Sequence, residues 1–331
     1  MRLLDLIAQS SPSQSGLPPA WHLPAPHHFA QAARACPLRL VLADDMVRCA
    51  TALAYAEGDR LSGCLDLLRV PSERLWVEWA EAPRQEALCA IPALGMKPTA
   101  LAGRAGVLIH SDASGRTGHI RTFWSTPDDR SYSAAMVTYF DLDCPIRTAT
   151  RIADIFNGES ARVSLPQEPA IDALLSHIHF RFDPAWARYY RSENLSVIQQ
   201  KTLLRDALQS TAYDSPMLLA LFLLMSAKDG AQQRVVNLER LNRGRRLVGK
   251  AELLEHVEVR MNLQTQRGDS LSDLNAKTGI GRRLHHVRGH LARRGHKIFW
   301  RSPHLRGNAR LGILRSRTIE LTFPEQAPAR G

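Results

Sequence analysis

The chain has 331 residues, 44% of them apolar and 23% charged, with a formal net charge of +11. That composition supplies a core for one large domain or two ordinary ones and excludes an intrinsically disordered protein. The charge is uneven: residues 230–331 hold 21 Lys/Arg against 8 Asp/Glu, which leaves 22 against 24 for residues 1–229. A basic third on a near-neutral body points to a polyanionic partner.

In chain order, "MRLLDLIAQSSPSQSG" is too soon broken by polar residues and Pro to be a secretory signal and reads as a short helix. The Ser/Pro-rich residues 10–27 form an extended connector to the body. From 37 to 143 the pattern favours strands. "ERLWVEWAE" (73–81) alternates, with Leu75, Val77 and Trp79 on one face and Trp76 and Glu78 on the other; "AGVLIHSD", "GHIRTFWS" and "AAMVTYFDLD" follow, separated by Gly, Pro and Asp clusters.

Residues 150–230 change to helical spacing, as in "DPAWARYYR", "VIQQKTLLRDALQS" and "SPMLLALFLLMSAK". Asp214-Ser215-Pro216 is a helix entry, because Pro fits a first turn in which its missing N–H costs nothing. The longest apolar run, 217–225, is nine residues, short of the roughly 20 a bilayer demands, so it predicts a buried helix and no membrane span. After a basic link at 234–250, strand pattern returns in "LLEHVEVRMNL", "LHHVRGHLAR", "HKIFWRS" and "RTIELTF", and "PEQAPARG" reads as a loose tail.

The expected fold is therefore α+β: an N-terminal antiparallel β-rich region, a helical middle and a C-terminal basic β-hairpin region. The expected boundaries are a helix and connector over 1–36, a β-rich domain over 37–149, a helical region over 150–233, and a basic linker with a β-rich end over 234–331. The five cysteines, Cys36, Cys49, Cys64, Cys89 and Cys144, are scattered without knuckle spacing, which suits reduced thiols in a cytoplasmic protein better than a disulfide framework.

The densest signal is "HHVRGHLARRGHKIFWRSPHLRGNAR" (285–310), with no carboxylate between Asp273 and Glu320. A solvated face mixes signs, so a charge run without acids argues for a partner. Read as a strand, 285–293 sets His286, Arg288 and His290 on one side and Val287, Gly289 and Leu291 on the other, with Arg293 continuing the cationic side. Gly295 makes the turn, and the next run sets Ile298 and Trp300 against Lys297, Phe299 and Arg301.

This hairpin would offer Arg288, Arg293, Arg294, Lys297, Arg301 and Arg306 to phosphates, and His286, His290 and His304 as hydrogen-bonding groups. Phe299 would stack a base, with RNA and DNA equally open. His286 and His290 lie about 13 Å apart on a strand, too far to share a metal, and no metal or other cofactor is expected.

Two motifs in the body suggest enzymes. "GRRLVGKA" (244–251) has the Gly and Lys spacing of a phosphate loop, but Ala251 stands where a Mg²⁺-ligating hydroxyl belongs, and "NLERLN" before it reads as helix. Glu78, Asp141 and Asp143 would be the carboxylates of a metal-dependent nuclease or phosphoryl-transfer enzyme if they met.

"RLWVEWAE", the "NRGR" link at 242–245 and "VRGHLARR…WRSPHLRG" together resemble a family of phage- and prophage-associated bacterial proteins. The family carries a Trp-x-Glu-Trp strand, an Asn-Arg-x-Arg link and a C-terminal VRGHxxRR…WRxPHxRG motif. The resemblance spans roughly residues 73–317. It implies no particular activity, but a phage setting makes nucleic acid the expected polyanion and a bacterial cytoplasm the expected place. The reading is a non-catalytic nucleic-acid-associated protein; the rivals are the nuclease and a protein-interaction module engaging an acidic partner.

Overall fold

A computed structural model describes residues 2–10, 23–91, 103–145, 151–163, 172, 174–212, 214–262, 283–287, 289–301, 304–306 and 308–313. The helices are α1 (Leu3–Gln9), α2 (Ala30–Arg34), α3 (Asp44–Ala56), α4 (Gly58–Ser62), α5 (Glu81–Cys89), α6 (Ile152–Phe156), α7 (Pro184–Ser192), α8 (Val197–Ala212), α9 (Asp214–Ser226) and α10 (Glu239–Leu247). The strands of the main sheet are β1 (Leu38–Leu42), β2 (Arg74–Ala80), β3 (Arg104–Ser111), β4 (Thr117–Ser125), β5 (Ser131–Asp141), β6 (Ile178–Phe182), β7 (Ala231–Val236) and β8 (His256–Met261).

These eight strands form one sheet in the order β6-β5-β4-β3-β2-β1-β8-β7. β1 runs parallel to both β2 and β8, and the other pairs are antiparallel. The protein is thus mixed α and β around a large, mostly antiparallel sheet. A parallel pair needs a crossover, and α3 supplies it between β1 and β2. Asp44 and Asp45 stand in its first turn, and Met46, Val47, Ala50, Leu53 and Ala54 recur at helical spacing and are buried.

Both faces of the central strands are covered, so β2 buries Leu75 through Trp79 without interruption. On one face Trp76, Leu108 and Phe123 pack beneath Leu3, Leu4 and Ile7 of α1, with Ala33 and Cys36. α3 packs against β2 and β8 and against α5 and α9. α9 is buried along its length from Asp214 to Leu224, as its uninterrupted apolar run demands, and no helix among the described residues is long and apolar enough to cross a membrane.

The chain divides into two compact units, Met1–Asn262 with Leu291–Phe299, and Leu263–His290 with Trp300–Gly331. The boundaries expected at 149/150 and 233/234 do not divide the main sheet, because β6, β7 and β8 extend it on either side. The expected helical stretch 150–233 contains β6, whose "IHFRF" alternates and pairs with β5, and β7. Conversely, the stretch read as strands contains α3 and α5, whose three- and four-residue apolar spacing is the stronger pattern.

In the second unit, β9 (Arg283–Val287) pairs antiparallel with β12 (His304–Arg306) and parallel with β13 (Asn308–Ile313). β10 (His290–Arg294) and β11 (Lys297–Arg301) form a separate two-stranded sheet, whose residues Leu291–Phe299 belong to the first unit. The run 284–293, expected as one strand, is therefore two strands in two sheets, interrupted before His290. "RTIELTF" and the tail lie outside the described residues.

Candidate nucleic-acid interface

The expected hairpin forms at β10 and β11, with Gly295 at φ +59° in its turn, a conformation open to glycine. Leu291 and Ile298 are buried and face the body. Lys228 N–H donates to the Ile298 carbonyl at 3.0 Å, and Lys228 bridges Phe299 as a parallel partner. Those contacts make Leu291–Phe299 part of the first unit.

Arg294, Lys297 and Arg301 are exposed and form no ion pair among the described residues. Arg293 departs from the expectation. Two-residue alternation puts it on the side of Leu291, so it turns toward the body. There it meets Asp66 and donates to the Gly63 and Gly295 carbonyls at 2.6 and 2.9 Å. It is a clasp and not a free cation.

His290 and Phe299 are half-buried. His286 stands on β9 and His304 and Arg306 on β12; the register pairs Leu305 with His286 and Arg306 with His285, so neither His304 nor Arg306 sits opposite His286. Arg288 lies outside the described residues.

Beside the hairpin tip is a cleft of about 620 Å³ whose lining includes Arg69, Lys228, His296, Lys297 and Phe299 together with the carboxylate Asp66. Asp66 is paired with Arg293, which compensates most of its charge, and it also feels His296 across the cleft. The chain order hides this grouping: Asp66 and Arg69 precede β2, Lys228 follows α9, and the rest come from the hairpin. Nothing local in the sequence marks Arg69 or Lys228, because the segments meet through long-range contacts: Lys228 with Ile298 and Phe299, and Arg293 with Gly63 and Asp66.

The carboxylates of the nuclease reading do not converge. Glu78 is fully buried on β2 and saturated: Leu4 N–H and Trp76 Nε1–H donate to its Oε2 at 2.8 and 3.1 Å, and Arg104 Nε donates to Oε1 at 3.0 Å. Asp141 ends β5, three strand spacings away, roughly 14 Å across the sheet, and caps the backbone N–H groups of Asp143 and Cys144. Asp143 pairs with Arg116 at 2.6 Å. Glu78 is committed to structure and stands apart from Asp141 and Asp143, so the three acids do not form one cluster.

"WVEWAE" instead contains the same device twice. Trp79 Nε1–H donates to Glu81 at 3.1 Å, just as Trp76 serves Glu78, and Arg84 completes the second set by bonding both Glu81 and Asp214. Residues two apart on an extended chain share a side, which aims each indole N–H at its own carboxylate. Burial pushes the Asp214 carboxyl up to about 6 against the pull of Arg84.

A row of rings crosses four strands in register. His110, His119, Tyr139 and His179 have successive centroids 5.0, 5.9 and 5.1 Å apart. Their faces are turned to one another and not to solvent, so the row offers no platform for a base. Burial lowers His119 and His179 to about 4, helped by His110 and Arg121 for the first and by Arg181 for the second.

Residues 244–251 form no phosphate cradle. Gly244 lies inside α10 and Gly249, at φ +66°, follows its end, whereas a phosphate loop must lead into a helix start. Burial raises the Cys36, Cys49 and Cys64 thiols, Cys49 to about 12, so these cysteines are not activated nucleophiles. Among the described residues no group of three or more His, Cys, Asp or Glu is placed to hold a metal ion. Comparison with protein-family models, curated proteins and solved structures gave no match.

Proposed function

We propose that this chain is a non-catalytic nucleic-acid-associated protein of phage or prophage type that holds a single strand in the cleft beside the hairpin. The observation that carries the reading is the cleft itself. Arg69, Lys228 and Lys297 line it, His296 adds a ring nitrogen, Phe299 offers an apolar ring, and its one lining carboxylate, Asp66, is engaged by Arg293. Cations that track a phosphate backbone around an aromatic side chain are what sequence-tolerant binding of single strands uses. Arg294 extends the same charge along the hairpin.

The test is a titration of labelled oligothymidylate and oligouridylate at increasing salt. Charge removal at Arg69, Lys228 and Lys297 together should weaken binding and flatten the slope of log K against log salt by about 0.7 for each phosphate no longer neutralised. Unchanged affinity and slope would remove the cleft from the interface.

A further inference from the structure

α10 and the residues after it carry a surface that the proposed interface does not use. Leu241, Leu247 and Val248 are 54%, 83% and 67% exposed, more aliphatic surface than one nine-residue helix ordinarily leaves in water. A cleft of about 480 Å³ runs along the helix, lined by Arg240, Leu241, Gly244, Arg245, Val248 and Lys250. Leu241 and Val248, seven positions apart, fall on one side and form its floor. A Cβ added at Gly244 would meet nothing within 4 Å, so the middle stands open.

The cleft is preformed. Asn242 on the same helix is buried and clasps Leu253, its Nδ2 donating to the Leu253 carbonyl at 3.0 Å while its Oδ1 accepts the Leu253 N–H at 2.9 Å. Arg245 is braced on the Ala251 carbonyl at 2.7 Å. The neighbouring acids are spoken for, since Glu239 pairs with Arg243 and Glu252 with Arg246. Among the described residues, Arg240 and Lys250 have no ion pair and no carboxylate lines the cleft.

An aliphatic floor beneath uncompensated cations selects its occupant. A nucleic-acid strand gains from rings on which bases stack, and the lining residues carry none. A bilayer needs a continuous apolar helix face, whereas Leu247 lies on a different side from Leu241 and Val248. What matches both features is a short segment of another protein that carries carboxylates beside aliphatic or aromatic side chains. We propose that the α10 cleft docks such an acidic, apolar peptide segment, its apolar side chains resting on Leu241 and Val248 and its carboxylates meeting Arg240 and Lys250. This surface is separate from the hairpin cleft, and its loss leaves oligonucleotide binding intact.

The probe is a random peptide library selected on the purified full chain. Enrichment of peptides combining Asp or Glu with Leu, Ile or Phe is expected. Binding of the winning peptide, read by fluorescence anisotropy, should weaken at least about tenfold in Arg240→Glu/Lys250→Glu and in Leu241→Asp. All three positions are surface ones, so thermal unfolding should not shift, and oligothymidylate binding should stay as it was.

Enrichment of peptides without acidic residues, or peptide binding indifferent to both variants, would overturn the proposal. So would binding to phosphatidylserine vesicles that Leu241→Asp abolishes while no peptide is enriched, since the surface would then belong to a membrane. Oligothymidylate binding that falls with Arg240→Glu/Lys250→Glu would likewise reassign it, to nucleic acid.

Discussion

Arg293 meets Asp66 with two parallel bonds, Nη1 to Oδ1 at 2.7 Å and Nη2 to Oδ2 at 2.8 Å. The guanidinium also holds the Asp66 carboxyl below the usual carboxylate range, by its hydrogen bond before its charge. Asp66 lines the hairpin cleft, so the pair compensates the cleft's one lining carboxylate and ties up Arg293 beside it. Asp66→Ala should release Arg293 toward a bound strand. Oligonucleotide affinity should rise several-fold at low salt, with a steeper salt dependence. An unaltered slope would mean that the strand passes clear of this pair.

Glu78 is the most heavily engaged side chain beneath α1. Its replacement by Ala leaves the Arg104 guanidinium, the Trp76 indole N–H and the Leu4 N–H without an acceptor. A buried ion pair broken from one side typically costs more than its net value when intact. Glu78→Ala should lower the unfolding free energy by about 3 kcal/mol, measured by urea titration. A loss below about 1 kcal/mol would show that water readily replaces the carboxylate.

Gly106 lets an indole lie against its strand. A Cβ there would stand 2.9 Å from Trp76 Cζ2 and 3.1 Å from the Val77 carbonyl oxygen. Gly106→Ala should destabilise the protein by about 1–3 kcal/mol through overpacking. Measured in a Trp76→Phe background, the cost of Gly106→Ala should be smaller than in the unmodified chain, and an equal cost in both would place the strain at the Val77 carbonyl.

Acid should loosen the sheet through its ring row. His119 and His179 take their protons near 4 in the folded protein and near 6.5 when unfolded. Between those values the unfolded chain binds more protons, so stability rises with pH there. Their contribution is complete above 6.5 and is lost as pH falls toward 4. Asp214, raised from 3.8 to about 6, works in the opposite sense over much of the same window but is one group against two. Unfolding midpoints measured from pH 7 to pH 4 should therefore fall, and fall less in His119→Phe, which keeps a ring and removes a proton site.

Legibility in the sequence differs by element. β3, β4 and β5 can be read directly, because each is a β-branched and aromatic-rich run bounded by turn residues, and α9 because its apolar run has only one way to be buried. α3 is masked by the β-rich runs around it, although its Asp44-Asp45 start and its apolar spacing are local signals. β6 is hidden in a helical neighbourhood. Whether "IHFRF" becomes a strand depends on an open edge at β5, and no window of five residues contains that edge.

The candidate site divides in the same way. That the C-terminal third is cationic and free of acids from 274 to 319 follows from composition alone, and so does a turn at Gly295. Which cations remain free is settled by partners distant in sequence: Asp66 captures Arg293, while Lys228 and Arg69 join Lys297 at one cleft. Likewise, Glu78 and Asp141 are equally available as acids in the sequence, and the strand order sets them on different strands with different partners.

Local chemistry determined the charge of the basic third, the alternation of its strands and the burial of the apolar helix, because these depend on residues a few positions apart. The pairing of distant segments chose which charges are spent on the fold and which stay unpaired among the described residues. An ion pair forms between whatever groups the sheet order brings within about 4 Å, and that order is a property of the whole chain.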